Sequence, residues 1–110
     1  MAEYVNKRRF PRIPAQHALL VKRLADDGSE ALARTETMGG GGCMFVHDAP
    51  LGIGAHVELL ISVRGAVVKS RGRVAWESTR DDGRIEVGVE FTEVSDQDRG
   101  IIETLLREQP

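Results

Sequence analysis

The stretch Val57-Glu58-Leu59-Leu60-Ile61-Ser62-Val63-Arg64-Gly65-Ala66-Val67-Val68-Lys69-Ser70-Arg71-Gly72-Arg73-Val74-Ala75-Trp76 decides the fold class. Val57, Leu59, Ile61 and Val63 alternate with Glu58, Leu60 and Ser62, which is the two-residue period of a half-buried strand. Arg64-Gly65 then reads as a hairpin turn, because glycine supplies the backbone freedom a tight reversal needs. The chain returns with Val68, Ser70, Gly72, Val74 and Trp76 on one face. Val67, Lys69, Arg71, Arg73 and Ala75 lie on the other.

The same pattern extends outward. Asp81-Asp82-Gly83 is a turn signal, and beyond it Ile85, Val87, Val89 and Phe91 alternate with Glu86, Gly88 and Glu90. Upstream, Ala18–Leu24 is an apolar strand closed by Asp26-Asp27-Gly28. Glu30–Thr37 is a weak strand, Gly39–Gly42 a loop or tight turn, and Cys43–Val46 a short apolar strand ending at His47-Asp48-Ala49-Pro50. After Phe91 the period changes. Ser95 is a candidate helix cap, and Asp96 and Asp98 sit in the first turn, where the helix dipole favours acids. Ile101, Ile102, Leu105 and Leu106 form one apolar stripe. The expectation is a mainly all-β fold: six short antiparallel strands in a barrel or sandwich, with the helix across one opening or edge.

Bulk composition narrows the function. With 110 residues the chain suits one domain, and a large substrate cavity beside its core is excluded. The net charge of −2 gives no global pull toward nucleic acid, so no DNA or RNA partner is expected. A single cysteine, Cys43, forms neither an internal disulfide nor a cysteine-rich zinc site, and in its apolar strand it reads as a buried structural thiol. His17, His47 and His56 are scattered without ligand-like spacing, so no metal is expected. The first residues lack the apolar core of a signal peptide, and no apolar run approaches the ~20 residues of a membrane-spanning helix. A cytoplasmic protein without membrane insertion is the expectation. No nucleophile, base and orienter stand at workable spacing, so it is read as a non-enzyme.

Two segments carry candidate chemistry. Lys7-Arg8-Arg9-Phe10-Pro11-Arg12 concentrates positive charge at the N-terminus, whereas Glu77–Glu108 holds ten acids against four arginines. Guanidinium groups match phosphate oxygens and stack on purine rings. Arg8 and Arg12, four residues apart on an extended chain, reach across ~13 Å, enough for two arms around a compact ligand with two phosphates. Residues 1–7 are expected as a flexible tail before a domain spanning 8–110. The second segment, Thr35-Glu36-Thr37-Met38-Gly39-Gly40-Gly41-Gly42, lets a ligand approach the backbone closely and offers amides that hold an anion. No Gly-Lys-Ser/Thr comes after it, so it is not a P-loop. Each segment alone also fits a bland reading, a solvated basic tail and a flexible hairpin loop. Trp76, the single tryptophan, reads first as core or rim packing and second as a ring that could flank a purine.

Together the two segments resemble the PilZ domain family. Arg8-Arg9-Phe10-Pro11-Arg12 is similar to the family's Arg-x-x-x-Arg stretch. Ala49-Pro50-Leu51-Gly52-Ile53-Gly54 looks like its Pro-Leu-x-x-Gly connection, and Gly72-Arg73-Val74-Ala75-Trp76 and Val87-Gly88-Val89-Glu90-Phe91 resemble its last two strands. Gly42 matches the glycine of its Asp/Asn-x-Ser-x-x-Gly motif. Thr37 stands where aspartate or asparagine is usual, and Gly39 where serine is usual; a one-residue shift of register would put Glu36 near the acidic position instead. The resemblance, over about residues 8–107, implies a six-stranded antiparallel PilZ-type β-barrel with a C-terminal α-helix. It implies a receptor that binds cyclic di-GMP, as a stacked dimer in this family, and signals to a protein partner. Arg8, Arg9 and Arg12 would hold the dinucleotide from one side and Thr37, Gly39, Gly41 and Gly42 from the other, with no cofactor. The two departures remove hydrogen bonds that cost about 1–3 kcal/mol each. An alternative therefore stands beside it: a degenerate PilZ-like adaptor acting only by protein–protein contacts. An unrelated small barrel is the third reading.

Overall fold

Side-chain alternation builds the wall, and pairing closes it. The computed structural model describes residues 12–14, 16–25 and 28–108. Among them are seven strands and one helix. In chain order they are β1 (Arg12–Pro14), β2 (Ala18–Arg23), β3 (Glu30–Gly39), β4 (Gly42–His47), β5 (His56–Val63), β6 (Ala66–Thr79), β7 (Ile85–Val94) and α1 (Asp96–Arg107). All pairings are antiparallel. The order β3-β2-β5-β6-β7-β4 returns to β3 through a further β3–β4 pairing, which closes a six-stranded barrel. β1 is not a seventh stave. It and β2 run end to end along the same edge of β3, with Arg12 opposite Gly39 and Ala18 opposite Arg34. His17 bridges the break: its carbonyl accepts from the Thr35 N–H at 2.9 Å, and its own N–H donates to Thr35 Oγ1 at 2.8 Å.

The alternating apolar residues fill the interior. Leu19, Val21, Phe45, Val57, Leu59, Ile61, Val63, Val68, Val74, Val87 and Val89 are buried in one cluster. Cys43 is buried with them. At 25 cal/mol per Å² of apolar surface, each fully buried side chain of this kind contributes about 1.5–3 kcal/mol. α1 covers an opening of the barrel. Ser95 Oγ accepts from the Asp98 N–H at 3.1 Å, and Asp98 Oδ2 accepts from the Lys69 N–H of β6 at 3.1 Å, so the cap also ties the helix to the wall. Ile102 and Leu105 then enter the core.

Three details differ from the sequence reading. The loop expected over Gly39–Gly42 shrinks to Gly40-Gly41, because Gly39 and Gly42 pair with each other as the last rungs of β3 and β4. Strand β6 continues past Trp76 to Thr79, since β7 supplies partners as far as Ile85. Trp76 itself leaves the face of Val74. The register of β6 shifts between Val74 and Trp76, so Val74 pairs Val89 but Trp76 pairs Gly88, on the outward side of a strand whose Val87 and Val89 point in. A bulge moves one residue out of register and re-aims the side chains beyond it. The expected tail over residues 1–7 lies outside the described residues.

Three glycines, Gly42, Gly72 and Gly88, are dictated by neighbouring atoms. A Cβ on Gly42 would sit 2.1 Å from the Val89 carbonyl oxygen, and one on Gly88 would sit 2.0 Å from Trp76 Nε1. The first obstacle is backbone and cannot rotate away. Gly100 in α1, by contrast, meets nothing within 4 Å. Gly42→Ala is therefore expected to lower unfolding stability by more than about 2 kcal/mol, and Gly100→Ala to raise it by roughly 0.5–1 kcal/mol. Urea unfolding of the two variants checks both signs.

Candidate functional site

Reading the register across β6, β7, β4, β3 and β1 lays out the barrel's outer face row by row. One row runs Arg73, Glu90, Gly42, Gly39, Arg12. The next outward row runs Trp76, Gly88, Met44, Thr37, Pro14. Three of these ten positions are glycine; Gly42 and Gly39 leave the first row without bulk at its centre, whereas Met44 stands at the centre of the second. Arg73 closes one end of the first row with a hydrogen-bonded ion pair, Nη2 to Glu90 Oε1 at 2.5 Å. Trp76 closes one end of the second, half-buried, with its ring over Gly88 and no partner for Nε1 among the described residues.

Both sequence-predicted segments meet on this face. The backbone of Arg12 lies opposite Gly39, that of Ile13 opposite Met38, and that of Pro14 opposite Thr37. The arginine-bearing lead-in is thus paired directly to the glycine hairpin. Arg8 and Arg9 lie outside the described residues, as does the side chain of Arg12. Thr37 is half-buried, and Gly39 and Gly42 are buried. The turn between them is pinned from two sides: the Gly41 carbonyl accepts from the Phe91 N–H at 2.8 Å, and the Gly40 carbonyl accepts from Arg99 Nη1 at 3.3 Å. The structure gives Gly42 a packing role against β7 that any occupant of the face would leave in place.

A third group adjoins the two rows. β3 slips register between Thr35 and Thr37, so Glu36 is a bulge residue with no rung on β4. Its Oε1 accepts from Arg80 Nη2 at 2.6 Å, and Arg80 Nε donates to Glu86 Oε2 at 3.0 Å. Arg80 is itself held in the β6–β7 turn, where its N–H donates to the Arg84 carbonyl at 2.7 Å. Partial burial pulls its pKa down, but hydrogen bonds and charge from Glu36, then Glu86, outweigh this and raise it above the ordinary arginine value. Among the described residues no group of three or more His, Cys, Asp or Glu is arranged to hold a metal ion. Nor is any helix there long and apolar enough to cross a membrane.

The profile of the PilZ domain matches residues 6–108. The chain belongs to the PilZ domain family. The fold agrees with solved structures. The PilZ domain with c-di-GMP of YcgR from Escherichia coli superposes with a TM-score of 0.73 at 21% identity, covering 93% of each chain. The PilZ domain of CeSA from a cellulose-synthesizing bacterium gives 0.65 at 22% identity, covering 88% of this chain and 95% of that one. The Bacillus subtilis inhibitor of motility (MotI/DgrA) gives 0.75 at 15% identity, covering 94% of this chain. The present chain spans about half of that protein, 54% of its length. Among curated proteins, none matches.

Arg99 and Arg80 escape a reading of the sequence alone, and the placement of Trp76 and Glu36 is not fixed by it. Strict alternation puts Trp76 on the interior face, because it carries no mark of a bulge. Arg99 lies in an acid-rich stretch far from the turn it touches. Glu36 and Arg80 are 44 residues apart, and nothing local links them. Arg99→Ala should free one carbonyl of the Gly40-Gly41 turn while leaving the barrel intact. Hydrogen–deuterium exchange should speed up at Gly40–Gly42 but stay unchanged at Val57–Val63.

Proposed function

We propose that this PilZ domain is a cyclic di-GMP receptor that passes the signal to a protein partner. The observation that carries the reading is the β1–β3 pairing, with Arg12 opposite Gly39 in a row where Gly39 and Gly42 stand side by side. Two phosphates need cations, and the lead-in provides Arg8, Arg9 and Arg12. Purine rings need flat partners, and arginine planes and the Trp76 ring supply them. Thr37 offers a hydroxyl, and the Gly39, Gly41 and Gly42 backbone permits close approach. The dinucleotide enters as one molecule or a stacked pair. Ligand bridging β1 to the glycine hairpin stabilises the arm against the barrel, and that composite surface is what a partner distinguishes. The free energy comes from contacts made in one state and not the other. The similar YcgR domain was solved with c-di-GMP, which supports the ligand class. The role is a receptor's and not an enzyme's, and the expected setting is the cytoplasm.

The second reading, an adaptor that binds no nucleotide, is favoured by one observation: Gly39 is buried and has no side chain to donate. Calorimetric titration with cyclic di-GMP separates the two. Binding at micromolar or tighter affinity, lost in Arg8→Ala and Arg12→Ala, is the expected result, together with a shift in Trp76 emission on saturation. Heat equal to dilution and unchanged emission would favour the adaptor.

A further inference from the structure

Across the barrel from the hairpin face, the outer surface has a different character. In the ring β3-β2-β5-β6-β7-β4, β2 stands opposite β7 and β5 opposite β4. The inward residues of these two strands, Leu19, Val21, Val57, Leu59 and Ile61, fill the core. Their outward residues fall into rows set by register. One row runs Leu32, Leu20, Leu60, Lys69 across β3, β2, β5 and β6. The next runs Glu30, Lys22, Glu58, Arg71. On the other flank, Arg34 pairs Ala18 and Ser62 pairs Val67. Leu32 is 83% exposed and Val67 62%, and Leu20 and Leu60 are half-buried. Contiguous apolar side chains with a charged rim mark an interaction surface.

The charged row says what covers it. Its signs run negative, positive, negative, positive, so reversing the row inverts every sign. Such a surface is its own electrostatic complement. A second copy, turned about a two-fold axis that runs along the strands between β2 and β5, presents the row reversed. Glu30 then faces the partner's Arg71, and Lys22 faces the partner's Glu58. Leu20 meets the partner's Leu60. Leu32 lies on the aliphatic stem of the partner's Lys69, whose ammonium stays 3.6 Å from Glu58 of its own chain. Ala18 and Ser62, both small and exposed, flank the axis and let the two walls approach. Other axes waste the charges. One along β2 sets Lys22 on Lys22 and Glu30 on Glu58; one across the strands sets Lys22 on Ala18. Glu93 of β7 continues the row beyond Arg71, but the curvature of the barrel turns it away.

We infer that the outer face of β2 and β5, with Leu32 and Arg71 toward its edges, docks a second copy of this chain as a two-fold dimer. A two-fold contact uses the same patch on both subunits, so the patch must complement itself, and the alternating row does. The leucines supply apolar area, and the charges fix the register and exclude other alignments. The glycine-hairpin faces of the two copies then point away from each other. Dimer formation leaves both of them open, so the inference stands whether or not the domain binds cyclic di-GMP.

Sedimentation equilibrium over a concentration series tests it, with the folding of each variant checked by circular dichroism. The wild-type mass should approach twice that of the chain. Lys22→Glu and Glu58→Lys each set like charges across the axis and should weaken association roughly tenfold or more. Leu32→Lys, at a side chain outside the core, should also weaken it by meeting the partner's Lys69. The double variant Lys22→Glu/Glu58→Lys should restore the dimer. Its row reads negative, negative, positive, positive, which spoils the alternation within one chain but still inverts on reversal. A wild type that stays monomeric throughout the series overturns the inference. A dimer indifferent to all three single changes also overturns it, because the copies then meet elsewhere. A double variant that associates as weakly as the single ones removes the two-fold register on which the inference stands.

Discussion

Strand β3 has to serve three partners, and the glycines at its end make that possible. Its first half pairs β2, its second half pairs β4 on the opposite edge, and its last three residues also pair β1. Closure of the barrel requires β4 to turn back within two residues and lie against β7. Gly42 permits this because a Cβ there would overlap the Val89 carbonyl. The same compact hairpin end brings the lead-in strand to the outer face. The constraint that shuts the barrel therefore also assembles the candidate site.

This double duty separates packing from recognition within one motif. Gly42 is explained by the backbone of β7, and Gly88 by the ring of Trp76. Neither needs a ligand to account for it. Thr37 and Glu36 are placed differently: Glu36 occupies a bulge, and Thr37 is half-buried on the outward side. Bulges re-aim side chains, and here two of them, at Glu36 and before Trp76, set an acid and an aromatic on the outward side of the barrel. The ion pairs around Arg80 are partly exposed and add little to stability.

Most of the fold was legible in the sequence because period-two alternation and turn residues are local signals. Arg64-Gly65 and Asp81-Asp82-Gly83 both fall at turns, with Arg64 at φ 51 and Gly65 and Gly83 also at positive φ. Ser95 caps α1 as its sequence indicated. The family could be read from the arginine run and the glycine segment taken together. Register could not be read. The bulges at Glu36 and before Trp76 arise from pairing with distant strands, and a one-residue slip moves a side chain to the other face. Arg99 and Arg80 reach the site through tertiary structure alone.

The central claim is that arginines on the lead-in and the Thr37–Gly42 hairpin grip one dinucleotide between them. Nuclear magnetic resonance of the isotope-labelled domain titrated with cyclic di-GMP tests it most directly. The account predicts the largest shifts at the backbone amides of Arg12 and Gly39–Gly42 and at the single indole N–H of Trp76, with β5 unmoved. Shifts confined to the β2–β5 face, with the hairpin and the indole silent, would contradict it.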